Sequence, residues 1–419
     1  MKKAAPGPKR PARNCPWQTK ALAALAALVV LLSLISGGCW DLRELQDRHF
    51  VLAMAVDLAD ETGQSGHEKG INPLETYTQT AGERKYRLSL QILKFTSSSG
   101  GPQRGEESKT FIISDTGASM FDMIRDMLGQ SSKAIYFEHM QTVIFSEAVV
   151  RQAGIRPVFD LLLRDPEMRW RIKVFITPGQ ARSLLEFTPP TDEAGGIFLA
   201  NIMENHSRTF HIAGAATDLG NISQALDAGN VALIPRIDLA GKVVKVGGLA
   251  LLKAGKFIGY LDEYMTRGVK YVRGTSKSGP ITIDCPEHPG NVWSFEMSDH
   301  RTKLEPHMVN GQIYFTLNIT MRGTLAESLR LDDQDKKSGN QMQLPKVEQT
   351  VAKQIVKNIQ DSQKLLQDMN ADAFNLKTKL KAHNPKAWAA VKDRWDEVFP
   401  TIPIYVSAEV IIRGIGEHE

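Results

Sequence analysis

Residues 35–48 read ISGGCWDLRELQDR, and the thiol inside that stretch has the surroundings that most constrain its chemistry. Cys39 follows Gly37 and Gly38, both small enough for a lipoprotein signal peptidase, and its sulfur could carry a thioether to diacylglycerol. Ser36 stands where a lipobox usually has leucine, with Leu34 and Ile35 just before it. Ala21 to Ile35 forms a Leu/Ala/Val run broken only by Ser33, and the first twenty residues carry Lys2, Lys3, Lys9, Arg10, Arg13 and Lys20 with no acid. A basic start, a short apolar core and small residues at its end make a secretory signal. Crossing a hydrocarbon core of roughly 30 Å takes about 20 apolar residues, more than this run offers. The sequence therefore predicts a signal peptide over 1–38, cleavage between Gly38 and Cys39, and an S-diacylglycerol cysteine at position 39.

Other reactive side chains form weaker patterns. Glu204, His206 and His211 lie close together, but the spacing does not put both histidines on one helical face, and they read as solvated helix-end residues. Cys285 and His288, in DCPEHPG, are separated by two residues, yet no second Cys or His pair stands at zinc-like spacing. A turn carrying a buried thiol is the simpler reading. RGTSKSG (273–279) has glycine and lysine without the spacing that wraps backbone amides round a phosphate, and no G-x-S-x-G elbow occurs. The expectation is of no catalytic residue, no cofactor and no metal, and so of a protein that is not an enzyme.

Charge and cysteine usage agree with export. Six of the 51 basic residues and none of the 47 acidic ones leave with the leader, which takes the mature chain to a net charge near −2. A nucleic-acid partner would require a clustered excess of Lys and Arg on the folded body, and none is expected. Cys15 departs with the leader and Cys39 becomes a thioether, so Cys285 has no partner for an internal disulfide. The fold must rest on buried apolar surface, and the length suits two or three domains.

The elements that would position these residues follow from periodicity. Strands are expected over 49–57, 85–95, 108–114 and 139–146. A helix is expected to start near Asp115 or Thr116, bury Met120, Phe121, Ile124 and Leu128, and stop at Gly129. A second helix runs from a Ser146 cap to Gly154, and a helix, strand, helix rhythm continues to about 187. This makes 39–190 one mixed α/β domain. After the Pro-rich TPPTDEAGG, 191–230 reads as a helical extension or small middle domain. Consecutive antiparallel strands are expected over 231–323, within a β-rich α/β region at 231–419. A long helix at 345–370 aligns Val347, Val351, Ile355, Ile359, Leu366 and Met369 toward its own sheet, and shorter helices at 372–382 and 385–397 precede a closing strand. Trp388, Trp395 and Phe399 are expected in the core of this last region. At the other end, Trp40 suits the headgroup level beside a lipidated cysteine, and Asp41 with Glu44 can open a helix.

Four stretches in order carry a family resemblance: GCWDLRELQD; AIYFEHMQTVIFSEAVVRQAGIRPVFDLLLRDPEMRW; GGLALLKAGKFIGYLDEYMTRGVKYVRG; and NADAFNLKTKLKAHNPKAWAAVKDRWDEVFPTIPIYVSAEVIIRGIG. In these the chain resembles the Ger(x)C family, the lipoprotein C subunits of nutrient germinant receptors in endospore-forming bacteria. The resemblance implies an α/β (α+β) fold of three mixed domains with largely antiparallel sheets, and a diacylglyceryl anchor at Cys39. It implies residence on the outer face of the spore inner membrane, assembly with integral membrane A and B subunits, and no enzymatic activity. The extra glycine before Cys39 and the loops near 60–83 and 96–109 depart from the family pattern. A lipid-anchored solute-binding protein that captures the nutrient itself is the alternative, but such proteins repeat βαβ units with ligands at strand ends. An exported enzyme would need perturbed acids or a metal in a cleft.

Overall fold

In the computed structural model the first strand, β1 (Arg48–Leu58), is apolar on both sides, as a strand covered on both faces must be. Val51, Met54 and Val56 enter one core while Ala53 and Ala55 enter another. A bulge between Val51 and Ala53 accounts for the switch in parity. The structure describes residues 17, 20, 24–28, 47–59, 85–94, 109–191, 193–212, 214, 217–285, 290–329 and 344–415. The chain divides into the units Met1–Arg48 and His49–Glu419. In the first, 24–28 is helical; the hydrophobic cores belong to the second.

Strands β2 (Tyr86–Leu93) and β3 (Thr110–Gly117) pair antiparallel outside β1. Short β4 (Ala134–Tyr136) also pairs with β1, and β5 (Thr142–Ser146) and β6 (Lys173–Thr177) continue on its other side in parallel. Three further strands, β7 (Ala232–Ala240), β8 (Val243–Lys253) and β9 (Lys256–Leu261), complete a nine-stranded sheet, joined through the Ile176–Arg236 pair. The sheet that starts at β1 thus continues past residue 231.

Helices α1 (Met120–Asp126), α2 (Glu147–Gln152), α3 (Arg156–Arg164) and, later in the chain, Leu219–Asp227 cover one face. Helices α4 (Ala181–Glu186) and α5 (Gly195–Ile202) cover the other. Buried polar groups tie these helices down. Asp57 accepts the Ala181 and Arg182 backbone amides at 2.7 and 2.9 Å, and Gln91 receives the Gly196 amide at 2.8 Å while donating to the Leu185 carbonyl. Gly196 has no room for a side chain, since a β carbon would stand 2.7 Å from that of Ala53.

The start of α1 corrects an expectation. β3 runs on to Gly117, and Ser119 caps the helix by accepting the Asp122 amide. This sets the inward face as Met120, Met123 and Met127, and leaves Phe121 52% and Leu128 38% exposed rather than buried. A second correction concerns 263–273, which lies inside a region expected to be strand. It is a helix, α6 counting Leu219–Asp227 apart (Glu263–Arg273), with Asp262 accepting the Met265 amide and Gly274 ending it at φ 64°.

Beyond it a second, four-stranded sheet runs β10 (Gly279–Asp284), β11 (Val292–Val309), β12 (Gln312–Leu329) and β13 (Ile404–Ile415). The first three pair antiparallel and β13 joins β12 in parallel. The long helix α7 (Leu344–Asp368) lies on this sheet with Val347, Val351, Ile355, Ile359 and Leu366 in the core and Met369 packed at its edge. Helices α8 (Leu376–His383) and α9 (Pro385–Val391) follow. Trp395 and Phe399 are buried and Trp388 packs against them. The whole is mixed α/β with largely antiparallel sheets.

Candidate functional site

Cys39, on which the sequence concentrates its chemistry, lies outside the described residues together with Gly38, Trp40, Asp41, Glu44 and His288. Among the described residues no helix is long and apolar enough to cross a membrane.

Glu204, His206 and His211 fall in the turn after α5 and do not converge. Glu204 is exposed, the His206 ring Nδ1 is 2.7 Å from the Met203 carbonyl, and His211 Nδ1 is 3.3 Å from Glu263, which also pairs with Lys245. Burial lowers the His211 pKa, with Glu263 acting against the shift. Among the described residues no group of three His, Cys, Asp or Glu side chains could hold a metal. Cys285 is a buried thiol at the end of β10, its amide donating to the Asn291 carbonyl.

What holds that turn is a residue the sequence reading passed over. Lys270, on the helix Glu263–Arg273, is 1% exposed and directs its ammonium at the carbonyls of His206, Thr209 and Ile212 at 2.6, 2.6 and 2.8 Å. Burial pushes its pKa down to about 8. Nearby, Arg273 donates to the Ala373 carbonyl at 2.7 Å, and Asp372 accepts the Leu376 and Lys377 amides, which fixes the start of α8. These contacts tie the helix Glu263–Arg273 to the turn after α5 and to the segment that starts α8.

An open groove of about 800 Å³ lies between α1, α3 and the loop before β5. Phe121, Ile124, Ile135 and Leu161 supply apolar surface, and Arg125, Asp160 and Arg164 stand at the rim. Arg125 lies over the Phe121 ring at 4.9 Å and Arg164 pairs with Asp160 at 2.8 Å. An apolar floor with a charged rim suits an apolar side chain of a partner or a small amphipathic ligand. In the sequence its one sign is Phe121, a phenylalanine off the methionine stripe.

Two family models cover nearly all of this architecture. One, described as the spore germination protein N-terminal domain, matches residues 41–239; the other, spore germination B3/GerAC like, C-terminal, matches 247–416. The chain belongs to the Ger(x)C family. Among relatives of this Ger(x)C protein, spore germination protein YndF of Bacillus subtilis (strain 168) is 26% identical over 93% of the chain and 96% of its own length. Spore germination proteins KC and A3 of the same organism are 23% and 21% identical, over 94% and 92% of the chain and 95% and 96% of theirs. The crystal structure of the GerBC protein shares the fold, with a TM-score of 0.55 at 19% identity over 78% of this chain and 93% of that one.

Proposed function

We propose that this Ger(x)C protein is the lipid-anchored, non-catalytic C subunit of a spore germinant receptor. In this reading a diacylglycerol on Cys39 holds it at the outer face of the spore inner membrane, beside integral membrane A and B subunits, and nutrient-triggered germination requires it. The observation that carries the reading is the start of the family match at residue 41, two positions after the cysteine of the lipobox. The matched body thus begins beside the residue where the acylated terminus would lie.

The physical logic is tethering. One acyl chain binds a membrane marginally, whereas two, at about 0.8 kcal/mol per buried CH₂, anchor stably. A body confined to that layer meets membrane partners at high effective concentration, so weak interfaces suffice. Intact-mass measurement of native protein should find the leader gone and Cys39 acylated. Cys39→Ala should fold normally, leave the membrane fraction and stop receptor assembly. Normal germination by that variant at native expression, or an unmodified sulfur, would overturn the reading.

The groove beside Phe121 favours a second reading, direct capture of a nutrient by this subunit. Titration calorimetry of residues 40–419 with amino acids and sugars separates the two, since saturable micromolar heat belongs to the second.

A further inference from the structure

The β11–β12 hairpin ends in apolar side chains that its own fold leaves in water. Met308 is 41% and Val309 54% exposed, just ahead of the turn at Asn310 and Gly311, whose φ values of 50° and 80° make a tight hairpin. At the same end of the sheet His307 stacks on Tyr314 at 4.9 Å, and Tyr314 meets Tyr405, 62% exposed, at 5.7 Å. Exposed apolar side chains gathered at one end of a sheet mark a contact surface more often than isolated ones do.

A basic segment begins with the helix that packs on β11, the strand leading to this end. Between Leu376 and Trp395 stand Lys377, Lys379, Lys381, Lys386, Lys392 and Arg394 against one acid, Asp393. Lys379, Lys381, Lys386, Lys392 and Arg394 are exposed, and among the described residues none of them forms an ion pair. Helix α8 packs on β11. Lys303 holds the Glu305 carboxyl of β11 below the usual carboxylate range by hydrogen bond and charge, and His307 and, from the end of α8, His383 act in the same direction. The basic helix therefore lies along the strand that leads into the hairpin.

We propose that this end of the molecule is a membrane contact of its own: Met308, Val309 and Tyr405 enter the interfacial layer of an anionic bilayer while Lys379, Lys381 and Lys386 lie against its phosphates. An acidic protein face is the competing partner. The hairpin and strand residues form a tip rather than a socket for a partner's anchor side chain, whereas a fluid headgroup layer accepts apolar tips by area and cations by field. Tyrosine is at home at that depth. Each Lys or Arg beside an anionic leaflet strengthens partition about fivefold, an effect that decays over about 8 Å at physiological salt.

The test uses residues 40–419, which retain the whole His49–Glu419 unit and lack both leader and acyl group, so its outcome is separate from that of the Cys39 experiment. Cosedimentation with phosphatidylcholine vesicles, with and without phosphatidylglycerol, should show binding only to the anionic set and loss of it as salt rises. Lys379→Glu/Lys381→Glu/Lys386→Glu should weaken partition at least about tenfold. Met308→Asp/Val309→Asp should weaken it severalfold, and Lys242→Glu, on the β7–β8 turn, should leave it unchanged. Melting temperatures verify folding, with Lys381→Gln as the milder variant. Failure to bind anionic vesicles, or equal partition of wild type and triple variant, overturns the proposal. So does a triple variant that partitions normally but no longer co-purifies with membrane partners, which would make the surface a protein contact.

Discussion

The Lys270 ammonium stands 2.6 Å from the Thr209 carbonyl oxygen and closes a three-carbonyl cage with His206 and Ile212. The lysine comes from the helix Glu263–Arg273, which packs on α7 and on β8, and the carbonyls from the turn after α5, so the contact ties two segments about sixty residues apart. Lys270→Met keeps the apolar stem and strips all three acceptors of their donor. At about 1–3 kcal/mol for each polar group left unsatisfied, with partial hydration as relief, urea unfolding should show a loss of about 3 kcal/mol. Limited proteolysis should cut first within 203–212. Lys270→Arg should not restore stability, because a planar guanidinium cannot meet three converging carbonyls as a compact ammonium does.

His300 supplies a pH dependence. Burial lowers its pKa from 6.5 to about 4, with Asp299 and a backbone hydrogen bond at Tyr271 opposing the shift. The folded protein therefore favours the neutral ring. Between those two values the unfolded chain binds more protons, so this group makes stability fall as pH falls through the window, by up to about 3 kcal/mol at its acid end. In His300→Phe the decline should be shallower by that amount when denaturant midpoints are compared at the two ends of the window. An unchanged slope would mean that the imidazole titrates normally.

Gly268 marks where the helix Glu263–Arg273 meets α7. A β carbon there would overlap the Ser362 hydroxyl, lie 2.8 Å from its β carbon and 3.0 Å from the Asn358 carbonyl oxygen. Alanine is the better helix former by about 1 kcal/mol. Overpacking of about 1–3 kcal/mol outweighs that gain, and Gly268→Ala should melt lower. Adding Ser362→Gly should recover part of the loss, so that a double-mutant cycle shows favourable coupling, whereas additive losses would place the clash elsewhere.

The same helix shows where sequence reading reaches its limit. α7 was legible because Val347, Val351, Ile355, Ile359 and Leu366 repeat at helical spacing and all go inward. In 263–273 the buried positions include Thr266, Gly268 and Lys270, so the inward stripe is not apolar and the period disappears. Its ends were readable: Asp262 as cap and Gly274 as stop. Phe121 failed for another reason, since a Ser119 cap rotated α1 and turned a large ring toward the groove. The buried ties, Lys270 to Thr209 and Asp57 to Ala181, join residues far apart in the chain, and no local pattern announces them. Strand positions, by contrast, followed from alternation and turn residues, although β13 joins β12 in parallel.

Trp395 separates ring packing from polar burial in the last core. It is 8% exposed, 5.6 Å from the Trp388 ring and 6.1 Å from Phe399, and its indole Nε1 has no acceptor among the described residues. Trp395→Ala empties the site and should cost about 3–5 kcal/mol. Trp395→Phe removes a smaller volume and also deletes an N–H whose burial without a partner costs about 1–3 kcal/mol, so the two effects oppose each other. The phenylalanine variant should therefore keep most of the wild-type melting temperature while the alanine variant loses it. If both fell equally, an unseen acceptor for Nε1, rather than the edge-on and tilted rings, would have to hold α9 and the turn at Phe399 in place.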